Sequence, residues 1–159
     1  MDARIKDFII DISEVDLDGI FDAWKWRLNE MCKIILISKM GDVFLLGNDE
    51  AIYWLGIDIG GVLKKIANNI QDFNSRLDIY DNIDNWFLPG LVEQIVCAGI
   101  HLNGNQVYSF KKLPVLGGDY SLNNIEPTDI SIHFYLTGQI CEQIKDLPNR
   151  TKVKIVIGD

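Results

Sequence analysis

Few side chains in this sequence could carry acid–base or nucleophilic chemistry. There are two histidines and three cysteines in 159 residues. His101 follows Gly99-Ile100 in a turn and is expected to be exposed. His133 lies beside an apolar helical stripe, which suits a hydrogen-bonded structural residue. The other reading pairs it with Tyr120 or Asp119 as a polar group at the mouth of the Gly117-Gly118 turn. Such a group needs a nucleophile or metal beside it to act, and none has usable spacing. Cys32, Cys97 and Cys141 are odd in number, far apart and without CxxC spacing, so neither a disulfide framework nor a zinc site is indicated. Cys97 and Cys141 fall in apolar helical patterns and read as small buried hydrophobes. Asp78, Asp81 and Asp84 recur every third residue in what reads as a loop. A calcium loop would require a glycine at the sharp turn and a closing glutamate, and both are missing. GxSxG, Walker, HExxH and strand-linked GxGxxG patterns are absent too. The chain therefore does not read as an enzyme, and no metal or cofactor is expected. A small-ligand-binding or regulatory module, with its pocket at Gly117-Gly118, Tyr120 and His133, is the alternative.

The elements that position these residues follow from periodicity. Residues 2–12 have β-branched content that favours a strand, but Ile5, Phe8, Ile9 and Ile12 fit a helix, and a helix is expected. Ser13 opens a second helix, with Asp16 three residues on and Leu17, Ile20, Phe21, Trp24 and Leu28 as its apolar stripe. Residues 33–66 change to short β-rich runs punctuated at Met40-Gly41, Gly47-Asn48-Asp49 and Gly60-Gly61. This is an antiparallel meander, with Phe44 and Trp54 packing across strands. Asn68 or Asn69 starts a helix with Ile70, Phe73 and Leu77 inward. Pro89 opens another, with Leu88, Leu91, Val92, Ile95 and Val96 on its core face. Residues 105–110 and 152–157 read as strands, the latter closing the sheet. Between them, Thr128 or Asp129 caps a long helix whose buried stripe is Ile132, Leu136, Ile140, Ile144 and Leu147. The fold is expected to be α+β, an antiparallel meander with helices packed mainly on one face. It forms a single domain over 1–159, with a soft boundary near 68–85.

Several polar residues have architectural readings. Asn124 can bond its own turn backbone. Gln139 and Gln143, one helical turn apart, can satisfy the ends of nearby strands. Asp146 can accept N–H groups past the helix end. Gly138 inside a helix costs about 1 kcal/mol against alanine, so a neighbouring backbone is expected to approach it, for example the Gly117-Gly118 turn.

Charge narrows the partners. The net charge is −8, and the excess is local: residues 1–30 hold 8 acids against 4 bases, and residues 66–99 hold 5 against 1. An acidic surface repels phosphate backbones, so no direct nucleic-acid binding is expected; it suits a basic protein partner. No apolar run is long enough to span a bilayer, and the first residues lack a signal-peptide core, so no membrane association and a cytoplasmic location are expected. The candidate partner-binding residues are Asp16, Asp18 and Asp22 on the early helix, Asp78, Asp81 and Asp84, and the aromatics Trp26 and Trp86.

One further reading comes from likeness to a known family. Pro114, Leu116, Gly117, Gly118, Tyr120 and Asn124, then His133, Gly138, Gln139 and Ile140, then Gln143 through Pro148 and Thr151 follow the pattern P-x-LGG-x-Y-x-x-x-N, His and GQI, QIKDLP-x-G-T. This resembles the C-terminal domain of the type VI secretion DNase-immunity family, a domain often found after a GAD-like one. Residues 86–159 carry the likeness best, and residues 1–65 resemble the N-terminal domain only loosely. Arg150 departs from the pattern where glycine is common. The resemblance implies a protein that binds and neutralises a cognate toxin, a DNase. The acidic charge then points to occlusion of its basic active-site cleft.

Overall fold

The computed structural model describes residues 2–158, apart from the side chain of Cys32. Four antiparallel strands run in sequence order: β1 (Met31–Ile37), β2 (Val43–Gly47), β3 (Ile52–Gly56) and β4 (Val62–Ala67). Phe44 faces Trp54 in register, and Leu45 faces Tyr53. The expected meander is there because apolar runs alternate with turns that favour hairpins.

Helices cover both faces of this sheet, whereas most were expected on one. Along β2 and β3 successive side chains point opposite ways. Val43, Leu45 and Leu55 pack with α1 (Leu17–Ala23), α2 (Lys25–Leu28) and α6 (Ile130–Ile144) through Ile20, Trp24, Leu28, Phe134 and Cys141. Phe44, Ile52 and Trp54 pack on the other side with α3 (Ile70–Arg76) and α4 (Tyr80–Phe87) through Phe73, Trp86 and Phe87. The central strands are apolar on both faces, and each face must be covered. A third cluster joins α5 (Pro89–Cys97) to Tyr108 and Ile125 of a separate antiparallel pair, β5 (Gln106–Phe110) and β6 (Ile125–Asp129).

Several local expectations change. Residues 2–12 form only a 3-10 turn at Lys6–Phe8 before running extended along the end of β1, with Ile9 bridging Ser38. The β-branched content prevails there because an open sheet edge is available. Asp16 rather than Ser13 caps α1, accepting the Gly19 N–H at 3.0 Å. The Asp78–Asp84 stretch is not a loop, since α4 begins at Tyr80. It ends where Pro89 bars Leu88 from helical angles, and Leu88 adopts φ +49. Ile70 and Val96, expected inward, are exposed, and so is Cys97.

The stripe of α6 is rotated from the expected one. Ile130, His133, Phe134, Thr137, Gly138 and Cys141 are buried, while Ile132 is 51% exposed and Leu147 lies exposed beyond the helix. Close packing selects small residues for the inward face, and a hydrophobicity pattern scores threonine and glycine poorly. Residues 152–157 form no strand, and the sheet is not closed by them. The tail lies along α6 instead, held by the side chains of Gln139 and Gln143 and by the Tyr135 hydroxyl on the Gly158 carbonyl.

Candidate functional site

Two sets of acids were expected to form a partner-binding face, and the fold separates them. Asp16 caps α1 and Asp18 and Asp22 lie on it, and its buried side meets one face of the sheet; Asp81 and Asp84 belong to α4, which covers the opposite face. All five are exposed. Glu14, Asp16, Asp18 and Asp22 take part in none of the ion pairs among the described residues. Asp78, just before α4, pairs instead with Arg4. Asp84 shares its groove with Lys64, Lys65 and Arg76, which offset its charge.

The aromatics divide in the same way. Trp86 is 7% exposed, stacked on Phe73 and edge-on to Phe44, and is a core residue rather than a surface anchor. A large ring between two helices and a sheet is worth more buried than exposed. Trp26 is half-buried, stacked on Trp24 at 5.2 Å, with the Arg27 guanidinium 4.8 Å and the Lys145 ammonium 5.5 Å from its ring centre. These contacts fit cation–π attraction.

The motif residues hold backbone. At the glycine turn Gly117 has φ +93, and a side chain on Gly118 would overlap the Lys112 carbonyl oxygen. Asn124 closes the loop around them. Its Nδ2 donates to the Lys112 carbonyl (2.8 Å) and the Asp119 carbonyl (2.8 Å), and its Oδ1 accepts the Lys112 N–H (2.9 Å). The loop then docks on the β3–β4 turn, where the Val115 N–H donates to the Asp58 carbonyl (3.0 Å) and the Tyr120 hydroxyl to Asp58 Oδ2 (2.7 Å). Burial first, and then that hydrogen bond, push the Tyr120 hydroxyl above its usual pKa.

His133 does not meet Tyr120 or Asp119. It is buried on α6 with both ring nitrogens engaged: Nε2 lies 3.2 Å from the Gly41 carbonyl and Nδ1 2.6 Å from Ser109 Oγ. A carbonyl only accepts, so Nε2 carries the proton and Ser109 donates to Nδ1. Burial lowers the imidazole pKa to about 4, and the Gly41 bond opposes this. The ring thus ties α6 to β5 and to the β1–β2 turn. The expected pocket uniting the glycine turn, Tyr120 and His133 is split among three grooves. Gly117 lines one with 144–155, Tyr120 a second with Trp54 and Asp58, and His133 a third with Ser109 and Leu136.

The remaining motif positions follow the same logic, with two changes. A Cβ on Gly138 would lie 2.5 Å from the Ala23 carbonyl oxygen, so its close neighbour is the end of α1, not the glycine turn. Asp146 is exposed and accepts no hydrogen bond among the described residues. Gln139 and Gln143 do satisfy extended backbone. Gln139 exchanges two bonds with Gly158 (2.8 and 3.2 Å), and Gln143 two with Val156 (2.8 and 3.0 Å).

The sequence reading missed Asp42 and Asp58. Asp42 is 5% exposed in the β1–β2 turn and accepts the Trp54 Nε1–H (3.0 Å) and the Ile57 N–H (2.8 Å). Burial, with the charge of Asp58 adding to it, raises its pKa well above the carboxylate range; the two N–H bonds oppose the rise. An aspartate after a glycine turn reads as punctuation, so nothing in the sequence marked it as buried.

Fold and site together define an α+β scaffold whose motif residues brace its own loops and whose early helix carries an unpaired acidic face. The family comparison names the class more closely. Residues 67–141 match the family model described as T6SS immunity protein Tdi1, C-terminal, which supports the resemblance to type VI secretion immunity proteins. No curated protein matches the chain in sequence. Among solved structures, the crystal structure of Atu4351 from Agrobacterium tumefaciens superposes with a TM-score of 0.50 at 16% identity, over 77% of this chain and 63% of that one. This likeness shows a shared fold, and the chain spans less than two thirds of that structure's length. No helix among the described residues is long and apolar enough to cross a membrane.

Proposed function

We propose that this protein neutralises a cognate type VI toxin, a nuclease, by binding it in the cytoplasm and covering its active-site cleft. The observation that carries this reading is the acidic segment at α1: Glu14 before the helix, its N-cap Asp16, and Asp18 and Asp22 on it are exposed and outside every ion pair among the described residues. A nuclease cleft must be basic to hold a phosphate backbone, and an unneutralised acidic face is drawn to it and competes with DNA. The family match over 67–141 supports the immunity role. The hydrogen-bonded motif supports a scaffold rather than a catalyst, because its polar groups are occupied by backbone.

The test is co-expression with the toxin encoded beside it. Growth should be rescued, a complex should copurify, and DNA cleavage by the purified toxin should fall in proportion to added protein. A toxin that binds but still cleaves DNA would overturn the occlusion mechanism. A neighbour that is harmless alone would overturn the immunity role.

A further inference from the structure

We propose that the toxin docks in the groove between α1 and the first half of α6, and that its occupant is a segment presenting an apolar side chain flanked by lysine or arginine. This rests on the immunity reading above and assigns it a place. The groove has a volume of about 380 Å³, within the range of roughly 300–1,000 Å³ over which binding clefts work. Its floor is apolar, formed by Ile20, Ala23, Ile130 and Phe134, and Asp16 and Asp22 line it as well. Lysine and arginine are absent from its lining.

Two observations bear on this groove, and the second separates it from the others. The first is apolar surface. Ile132 is 51% exposed on its lip, beside Tyr135, which is 40% exposed and gives its hydroxyl to the Gly158 carbonyl. Ile132 has the spacing of a core residue, yet the rotation of α6 leaves it outside. Nothing in the fold uses it, and an apolar residue on the lip of an apolar cleft suits a partner.

The second is charge. The groove at Trp54 and Tyr120 contains Lys64, Lys65 and Arg76, and the groove at the glycine turn contains Lys112, Arg150 and Lys152. Both would repel a basic segment. The groove beside α3 has acids, Asp2 and Asp11, but Asp2 is paired with Arg4 and Asp11 accepts the Ser13 N–H. In the α1–α6 groove Asp16 bonds one backbone N–H as a cap, and Asp22 makes no hydrogen bond or ion pair among the described residues. Asp18 on α1 and Glu14 in the turn before it add to the same charge. An apolar floor inside an acidic rim fits an apolar anchor between cations, with the anchor setting the lifetime of the complex and the charges its rate of formation.

The experiment measures binding of the purified neighbouring toxin, inactivated in its catalytic residues, to wild type and to three variants. Asp22→Lys and Ile132→Lys change the groove. Asp81→Lys with Asp84→Lys changes the opposite side and serves as control. Circular dichroism and Tm confirm that each is folded, and Tyr135→Ala replaces any groove variant that is not. Asp22→Lys should slow association about tenfold or more. Ile132→Lys should speed dissociation about tenfold or more, and the α4 pair should change Kd less than about threefold. If wild type binds and protects while both groove variants bind as it does, the groove is wrong and the immunity reading survives. If wild type neither binds nor protects, both fail. Loss of binding in the α4 pair alone would move the interface to the other side of the sheet.

Discussion

Asn124 shows what a single motif side chain does here. One amide closes both the Lys112 and Asp119 carbonyls and accepts the Lys112 N–H. Truncation leaves these groups to water at the loop rim or unpaired beneath it, at a cost of about 1–3 kcal/mol. Asn124→Ala should therefore lower Tm by roughly 3–10 °C while leaving toxin affinity within about twofold. A calorimetric scan and a binding titration check both halves, and unchanged Tm with lost binding would make Asn124 an interface residue instead. His133 gives a pH-dependent outcome. Its pKa falls from 6.5 to about 4 on folding, so between these values the unfolded chain holds the extra proton. Stability must then rise with pH through that window and be lost as pH falls toward 4, by about 3 kcal/mol in all. Asp42 acts oppositely, because its raised pKa retains a proton on folding and favours low pH. The contribution of His133 is isolated by subtracting the denaturation curves of His133→Gln from wild type between pH 4.5 and 7.5. A flat difference would mean that the ring is not buried neutral.

At the scale of elements, α6 is where reading and structure diverge most informatively. Its start at Asp129 and its length were legible, because an N-cap aspartate and a following proline stop are local signals. Its inward face was not, because it is chosen by the fit of Gly138 and Thr137 against α1, a contact between segments over a hundred residues apart. The strands of the meander were legible for the opposite reason: they pair with sequence neighbours, and hairpin turns declare themselves. The partners of His133 were hidden because a histidine does not announce which carbonyl it will meet. The tail at 152–158 looked like a strand because it alternates, and it is indeed extended, but its pairing partner is a helix face. Gln139 and Gln143 stand one turn apart, which matches residues 156 and 158 along an extended chain. All four bonds are at the surface, so their effect is local. In the double variant Gln139→Ala, Gln143→Ala, the amides of Val156 and Gly158 should exchange with solvent at the rate of open chain, while Tm falls by no more than the equivalent of about 1–2 kcal/mol. Retained protection at these amides would show that the Tyr135 hydroxyl on the Gly158 carbonyl is enough to hold the tail.

The whole molecule is knitted more tightly than the family match suggests. That match covers 67–141, which begins at the last residue of β4 and leaves out the rest of the four-stranded sheet. Yet Val107, Leu113, Ile130, Phe134 and Cys141 share one core with Ile34, Ile37, Val43, Leu45 and Leu55. The Tyr120 loop docks on Asp58, and His133 bonds Gly41. Phe73, Trp86 and Phe87 likewise need Phe44 and Ile52 beneath them. Removing residues 2–66 would expose both sheets of contact at once and strand His133 without its carbonyl. Each fully buried large side chain contributes about 1.5–3 kcal/mol, so losing the partners of five of them is comparable to the total stability of a typical domain, about 5–15 kcal/mol. The soft boundary near 68–85 should accordingly not be a folding boundary. The full chain is expected to unfold in one transition, with fluorescence and far-UV circular dichroism coincident. A fragment spanning 67–141 is expected to show no cooperative transition and to bind a hydrophobic dye. A cooperative melt of that fragment near the Tm of the full chain would mean that the family unit folds alone and that residues 2–66 are an accessory layer.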